Sequence, residues 1–123
     1  MDYEEIQAIK EYVDLAILDI LEKTKPILYP DEGLSMNEYL PILHEGQGMI
    51  AITIINLRVK SWELAKMRDS IELLTESAIR AAWDKVDNLK NEIDKFIMAL
   101  LNTSKVISER EDFLDLLFDA RED

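Results

Sequence analysis

The chain has few of the residues that interrupt regular structure or bind metals. It contains no cysteine, which excludes disulfides and thiolate metal sites. It contains one histidine, His44, and a single histidine cannot form a histidine-based metal cluster. Glycine and proline occur three times each, all between Pro26 and Gly48. Because these two residues are the strongest breakers of regular structure, their absence from Met49 to Asp123 predicts a long helical region.

Long apolar runs are also missing. No run approaches the roughly 20 residues that cross a bilayer, and the first five residues, MDYEE, are acidic where a signal peptide is basic. We therefore expect a cytoplasmic, intracellular protein with no membrane partner. The 123 residues are 48% hydrophobic and 33% charged, which is typical of a single globular domain over residues 1–123.

Positive charge is scarce at both ends of the chain. The net charge is −12, with −8 in residues 1–45, +1 in residues 46–107 and −5 in residues 108–123. Binding to nucleic acid needs a basic face, so direct contact with nucleic acid is not expected. The acidic ends are predicted to face solvent or a basic protein partner.

Apolar spacing divides the chain into helical segments. Isoleucine and valine recur at helical intervals in residues 2–24, which predicts a first helix stopped by Pro26. Residues 25–48 form a punctuated connector, in which a capping box at Ser35–Glu38 starts a short helix that ends at Gly46–Gly48. A long helical region is predicted over 49–103. A second capping box at Ser108–Glu111 predicts a C-terminal helix over 108–121.

The long region carries a seven-residue apolar repeat at Ile50, Leu57, Leu64, Ile71 and Ala78. This spacing is typical of a coiled-coil or bundle seam. One helix over 49–103 would be about 80 Å long, far longer than a compact domain of this size. Either it breaks, near residues 67–70 or at Thr75–Ser77, or it packs against another chain. The prediction is an all-α helical bundle of four to five helices, with long coiled-coil-like helices.

A seam of this kind also predicts self-association. The expected interaction seam consists of Ile50, Leu57, Leu64, Ile71, Leu89 and Ile93. Trp62 and Trp83 are typical of core or interface anchors, and either one, if exposed, is a predicted hot spot for a partner.

Paired carboxylates are the alternative signal. Asp69 and Glu72, followed by Asp84 and Asp87, place two acidic pairs on helix faces, where they could hold a divalent cation. Over about nineteen residues this resembles the all-α nucleoside triphosphate pyrophosphohydrolases, whose motif is richer in glutamate and has a longer gap. The resemblance implies a metal-dependent nucleotide hydrolase. The interleaved lysines and arginines favour an ordinary solvated face instead, with no metal and no cofactor.

The remaining motifs do not form a catalytic pattern. Gly46-Gln-Gly48 lacks the rest of a phosphate-binding fingerprint, and nothing in the sequence ties His44 to a nucleophile. The sequence therefore predicts a non-enzymatic protein that binds other proteins. It would be a small acidic helical adaptor, assembly subunit or inhibitor, of the sort that viral and mobile-element antagonists of host nucleic-acid-binding systems often are.

Overall fold

Three α-helices make up the part of the chain that the computed structural model describes. This part covers residues 3–72 and 77–122, with side chains described for residues 4–70 and 80–119. Helix α1 runs over Tyr3–Leu28, α2 over Met36–Glu72 and α3 over Ser77–Glu122. Neither described range contains a strand, so the all-α class is confirmed.

The three helices alternate in direction along an elongated bundle. Residues near the start of α2 lie beside residues near the end of α3, as the hydrogen bonds between Gln47 and Ser104 show, and Arg68 lies beside Asp87 at the other end. Most contacts between helices join α2 and α3, while α1 packs mainly on α2. The 46 residues of α3 span about 70 Å, so this helix forms the long axis of the molecule.

A seven-residue repeat of buried side chains runs through every helix. The repeat consists of Ile6, Val13, Ile20 and Ile27 on α1; Leu43, Ile50, Leu57 and Leu64 on α2; and Val86, Ile93, Leu100, Ile107 and Leu114 on α3. Each of these side chains is at most 8% exposed. Burying one such aliphatic side chain is worth about 1.5–3 kcal/mol, so this stripe supplies the main stabilisation of the bundle.

The expected count of four to five helices is wrong, and so is the expected coiled-coil character. A coiled coil has apolar residues at two positions of each heptad. On α2, the residues three places after the buried repeat are Gly46, Thr53, Lys60 and Met67. Only the last is a large apolar residue, and the nearby Ser61 is itself buried. On α2 the core therefore rests on one apolar position per heptad and on polar contacts beside it, whereas α1 and α3 add Ile9, Leu89 and Ile97 beside their repeats.

The predicted helix end at Gly46–Gly48 is wrong because α2 continues through both glycines. Neither glycine has a positive φ angle, so both are ordinary helical residues. Gly46 has a packing reason to lack a side chain, since a Cβ there would lie 2.7 Å from Cδ1 of Ile27. This glycine lets α1 approach α2 closely. The short helix of the connector and the first half of the long region are thus one helix.

The predicted break near 67–70 is absent, and so is the predicted boundary between a long region that ends at 103 and a C-terminal helix that begins at 108. Polar side chains at these places donate hydrogen bonds to the preceding turn of their own helix instead of capping new helices. The Ser70 hydroxyl donates to the Lys66 carbonyl, 3.1 Å away, and the Thr103 hydroxyl donates to the Ala99 carbonyl, also 3.1 Å away. The other predicted break, Thr75–Ser77, falls mostly outside the described residues. Helix α2 ends at Glu72, just before it.

The predicted stop of α1 at Pro26 is wrong, because the proline lies inside the helix. Helix α1 continues two residues beyond Pro26, to Leu28. At the start of α2, the N-cap of the predicted capping box is confirmed, because the Ser35 hydroxyl accepts from the Glu38 amide at 3.2 Å; the Glu38 carboxylate accepts from this hydroxyl at 3.1 Å. Within the described ranges, no helix combines the length and apolar composition needed to cross a membrane.

Candidate interaction surface

The predicted seam lies inside the chain. Ile50, Leu57, Leu64, Leu89 and Ile93 are all buried in the bundle core, and the side chain of Ile71 lies outside the described residues. The five described side chains are therefore unavailable to a second molecule while the bundle is folded. If this chain self-associates, it must use another surface.

A second apolar stripe lies on the opposite face of α2. Ile52, Ile55, Val59 and Trp62 follow one another at helical spacing and are 62%, 60%, 42% and 64% exposed. At 100° per residue they project away from the buried repeat of the same helix. Gly48 continues this stripe by one more turn. We call Gly48, Ile52, Ile55, Val59 and Trp62 the outer stripe.

Two side chains of α1 extend this apolar surface. Tyr12 and Leu15 are 41% and 68% exposed and line a groove between α1 and α2 together with Ile52. The Tyr12 ring is held against α2 by the Lys60 ammonium group, which lies 4.9 Å from the ring centre. Isolated exposed apolar residues are ordinary in proteins, but a continuous patch formed by two helices is typical of an interaction site.

The two tryptophans have different environments. Trp62 is exposed on the outer stripe, whereas Trp83 is half-buried against the core, with the Arg68 guanidinium 6.0 Å from its ring. The Trp83 indole N–H is buried and finds no acceptor among the described residues. Of the two predicted hot spots, Trp62 thus has the exposure that a partner needs, and its role stays a prediction.

Polar contacts fix the relative position of α2 and α3. The Ser61 hydroxyl donates to Asp94 at 2.8 Å, and Lys90 donates to the same carboxylate at 2.7 Å. Burial alone would raise the pKa of Asp94. The hydrogen bonds from Lys90 and Ser61, with the positive charges of Lys90 and Arg58, outweigh that effect and lower the pKa below its ordinary value. Because Asp94 is ionised at neutral pH, the Ser61 hydroxyl has a charged acceptor.

Arg110 ties all three helices together at one end of the bundle. Its guanidinium donates to the Leu28 carbonyl at 2.8 Å and to the Tyr39 hydroxyl at 2.9 Å. The Tyr39 hydroxyl in turn donates to the Ile27 carbonyl. Carbonyls in the last turn of a helix lack partners within that helix, so these contacts satisfy the end of α1. Arg110 therefore acts as a cap supplied by a different helix.

Three of the four carboxylates of the alternative hypothesis lie in the described part of the chain, and they do not form a metal site there. Asp69 and Asp84 are exposed, and Asp87 accepts a hydrogen bond from Arg68 at 2.8 Å. The side chain of Glu72 lies outside the described residues. Among the residues whose side chains are described, no group of three or more histidine, aspartate or glutamate residues could hold a metal ion. A metal-dependent hydrolase stays an untested prediction.

His44 lies on α2 and pairs with Glu111 of α3, with 2.6 Å between Nδ1 and the carboxylate. A histidine oriented by a carboxylate is a common part of acid–base sites. The hydroxyl considered from the sequence, that of Ser35, is already used to cap α2. The described contacts of His44 thus connect two helices, as do those of Gln47 and Arg68.

Sequence reasoning missed the outer stripe. Its three central residues, Ile52, Ile55 and Val59, belong to an apolar segment, Met49–Val59, that has apolar residues on nearly every face. Two stripes overlap there, and spacing alone does not show which stripe is covered by α1 and α3. Comparison of the chain with protein-family models, with curated proteins and with solved structures gave no match.

Proposed function

We propose that this protein acts by binding other protein helices, without chemistry of its own, as a small adaptor, assembly subunit or inhibitor. The observation that carries the proposal is the outer stripe of α2. A helix that uses one apolar stripe for its own core and exposes a second one is suited to bind another helix. This proposal includes the predicted cytoplasmic location, and the helix that is bound can belong to a second copy of the chain or to a different protein.

The size of the exposed surface supports this role. Typical aliphatic and aromatic side chains bury about 100 and 200 Å². The exposed fractions of the outer stripe, Tyr12 and Leu15 then correspond to about 450 Å² of apolar surface. The largest apolar patch of a typical monomer covers about 300–600 Å² and is often functional. The patch is therefore large enough to anchor a partner.

The exposed negative charge of α1 and of the end of α3 favours a basic protein as a partner. The outer face of α1 exposes Glu4, Glu11 and Asp14, and the last turns of α3 expose Asp112 and Asp119. Such acidic ends would attract a basic protein, including one whose usual ligand is nucleic acid. Under this part of the proposal, association with that partner should slow steeply as salt increases.

The experiment compares the proteins retained from an extract of the native host by three forms of the chain. These are the natural chain, Ile55→Asp on the outer stripe, and Leu116→Asp. Leu116 is 68% exposed near the end of α3 and lies beyond the contact of Glu111 with His44, so it serves as a matched control. A partner retained by the natural chain and by Leu116→Asp, but lost with Ile55→Asp, is expected. Identical retention by all three forms would contradict the proposal.

A further inference from the structure

Gly48 is a glycine for which the chain itself gives no reason. It lies inside α2 with ordinary helical geometry, and a Cβ added there would meet nothing within 4 Å. A glycine inside a helix costs about 1 kcal/mol relative to alanine. Gly46, two residues earlier, has its reason in Ile27. Gly48 instead makes a notch in the outer stripe, which would let a partner approach the backbone.

We infer that two copies of this chain pair through α2, antiparallel, with Trp62 of each copy packed on Gly48 of the other. This inference rests on the proposed function and names the partner of the same surface. Fourteen residues separate Gly48 from Trp62, and Ile55 lies midway between them. If the twofold axis of the dimer passes beside Ile55, Trp62 of each copy packs on Gly48 of the other. The two contacts are then equivalent, as an isologous interface requires.

The charge distribution favours a second copy on this face. Two chains of net charge −12 repel each other, so they can meet only where that charge is least. Residues 46–72 carry four basic and three acidic residues, whereas residues 1–45 carry −8. In the inferred register, position 66 of one copy faces position 44 of the other, so Lys66 lies one residue from Glu45 of that copy. Neither residue takes part in an ion pair within the described part of the chain.

The area is also sufficient for a stable pair. Counted together with Tyr12 and Leu15 of α1, the outer stripe offers about 450 Å² of apolar side chain per copy, which at the usual apolar share of an interface corresponds to roughly 800 Å² of total surface per copy. Specific complexes of standard size bury about that much on each partner. Trp62 on the notch would then be the main anchor on each side of the axis, since tryptophan is enriched among the residues that dominate binding energy.

Sedimentation equilibrium on Trp62→Ser and Gly48→Leu tests the surface. The natural chain and Leu116→Ser should form dimers, and each of the two outer-stripe variants should dissociate at least tenfold more readily. Gly48→Leu is the more specific variant. A Cβ at this position meets no atom of its own chain, whereas in the pair the leucine side chain would occupy the space that Trp62 of the other copy needs. The helix content and unfolding midpoint of Gly48→Leu should not fall, which separates lost pairing from lost folding.

Charge exchange tests the register. Lys66→Glu and Glu45→Lys should each weaken the homodimer about tenfold, because two like-charge contacts replace two attractive ones. An equal mixture of the two variants should form a heterodimer as tight as the natural dimer, since both of its cross-contacts are again attractive. A mixture no tighter than its components would overturn the antiparallel register.

The outcomes separate the two proposals. A natural chain that stays monomeric at about 100 μM, a hundredfold above a typical micromolar dissociation constant, would overturn self-pairing. The host-extract experiment would still decide whether the outer stripe binds a different protein. A natural chain that dimerises, with Trp62→Ser and Gly48→Leu dimerising equally well, would overturn the outer stripe as the interface.

Discussion

Gly46 sets the distance between α1 and α2, and its replacement by alanine should destabilise the bundle. The added Cβ would lie 2.7 Å from Cδ1 of Ile27, closer than Cβ atoms approach other heavy atoms in protein structures, so one of the two must shift. Ile27 is 3% exposed and lies in the core, so it can move only by disturbing its neighbours. Overpacking of this kind costs about 1–3 kcal/mol, while the better helix propensity of alanine returns about 1 kcal/mol. The expected net loss is therefore about 0–2 kcal/mol.

A matched control variant, Gly48→Ala, and a second-site variant, Ile27→Val, show whether the contact with Ile27 causes the loss of stability. Gly48→Ala has the same gain in helix propensity and no contact within 4 Å, so it should stabilise the single chain by about 1 kcal/mol. Ile27→Val removes Cδ1, the atom that clashes, and leaves Cγ2 at 3.3 Å. In the Ile27→Val background, Gly46→Ala should become neutral or stabilising, which gives a coupling energy of about 1–2 kcal/mol.

The assay is urea unfolding followed by circular dichroism, carried out in the Trp62→Ser background so that association does not contribute to stability. The free energies of unfolding of the two glycine variants should differ by about 1–3 kcal/mol, with Gly46→Ala the less stable. Equal stabilisation by both alanines, or no coupling between Gly46 and Ile27, would show that the α1–α2 packing described above is wrong.

Three further results are expected. Arg110→Met should lower the free energy of unfolding by about 1–3 kcal/mol, because the Leu28 carbonyl and the Tyr39 hydroxyl lose a charged donor; Arg110→Lys should lose less in the same urea titration. Asp94→Asn should lose up to about 1 kcal/mol at pH 7. Since the pKa of Asp94 is lowered from 3.8, this loss should vanish as pH falls further below that value. Millimolar magnesium or manganese should leave the melting temperature unchanged, and a clear rise would revive the hydrolase alternative.

The helical class and much of the core could be predicted from spacing alone. Ile50, Leu57 and Leu64 fall at seven-residue intervals, and all three are buried. A buried repeat looks the same in sequence whether its partner is another helix of the chain or a second molecule. That is why the seam was assigned to self-association, while the structure buries it between helices of the same chain.

The helix boundaries were missed because their signals depend on tertiary contacts. Gly46 carries a breaker signal, yet it lies inside α2, and the reason for a glycine there is that Ile27 occupies the space of a side chain. Ser104 has the composition of a boundary, but its hydroxyl donates to the Gln47 side chain at 2.6 Å. The capping box at Ser108–Glu111 has its acid engaged by His44. None of these partners is close in sequence, so local patterns could not reveal them.

A single cysteine at Ile55 provides the most direct test of pairing through the outer stripe. The natural chain contains no cysteine, so Ile55→Cys introduces the only thiol. Packed helix axes lie about 8–10 Å apart and Cα atoms about 2.3 Å from each axis. Facing Cα atoms at the twofold axis are then about 4–5 Å apart, which a disulfide can join.

Under mild oxidation, the measurement is the fraction of Ile55→Cys chains that become disulfide-linked dimers, compared with Leu116→Cys at the same concentration. The account predicts rapid and nearly complete linkage at Ile55, slow linkage at Leu116, and loss of the rapid reaction when Trp62→Ser is added to Ile55→Cys. Linkage at Ile55 that is no faster than at Leu116 would contradict the claim that two copies meet on this face of α2.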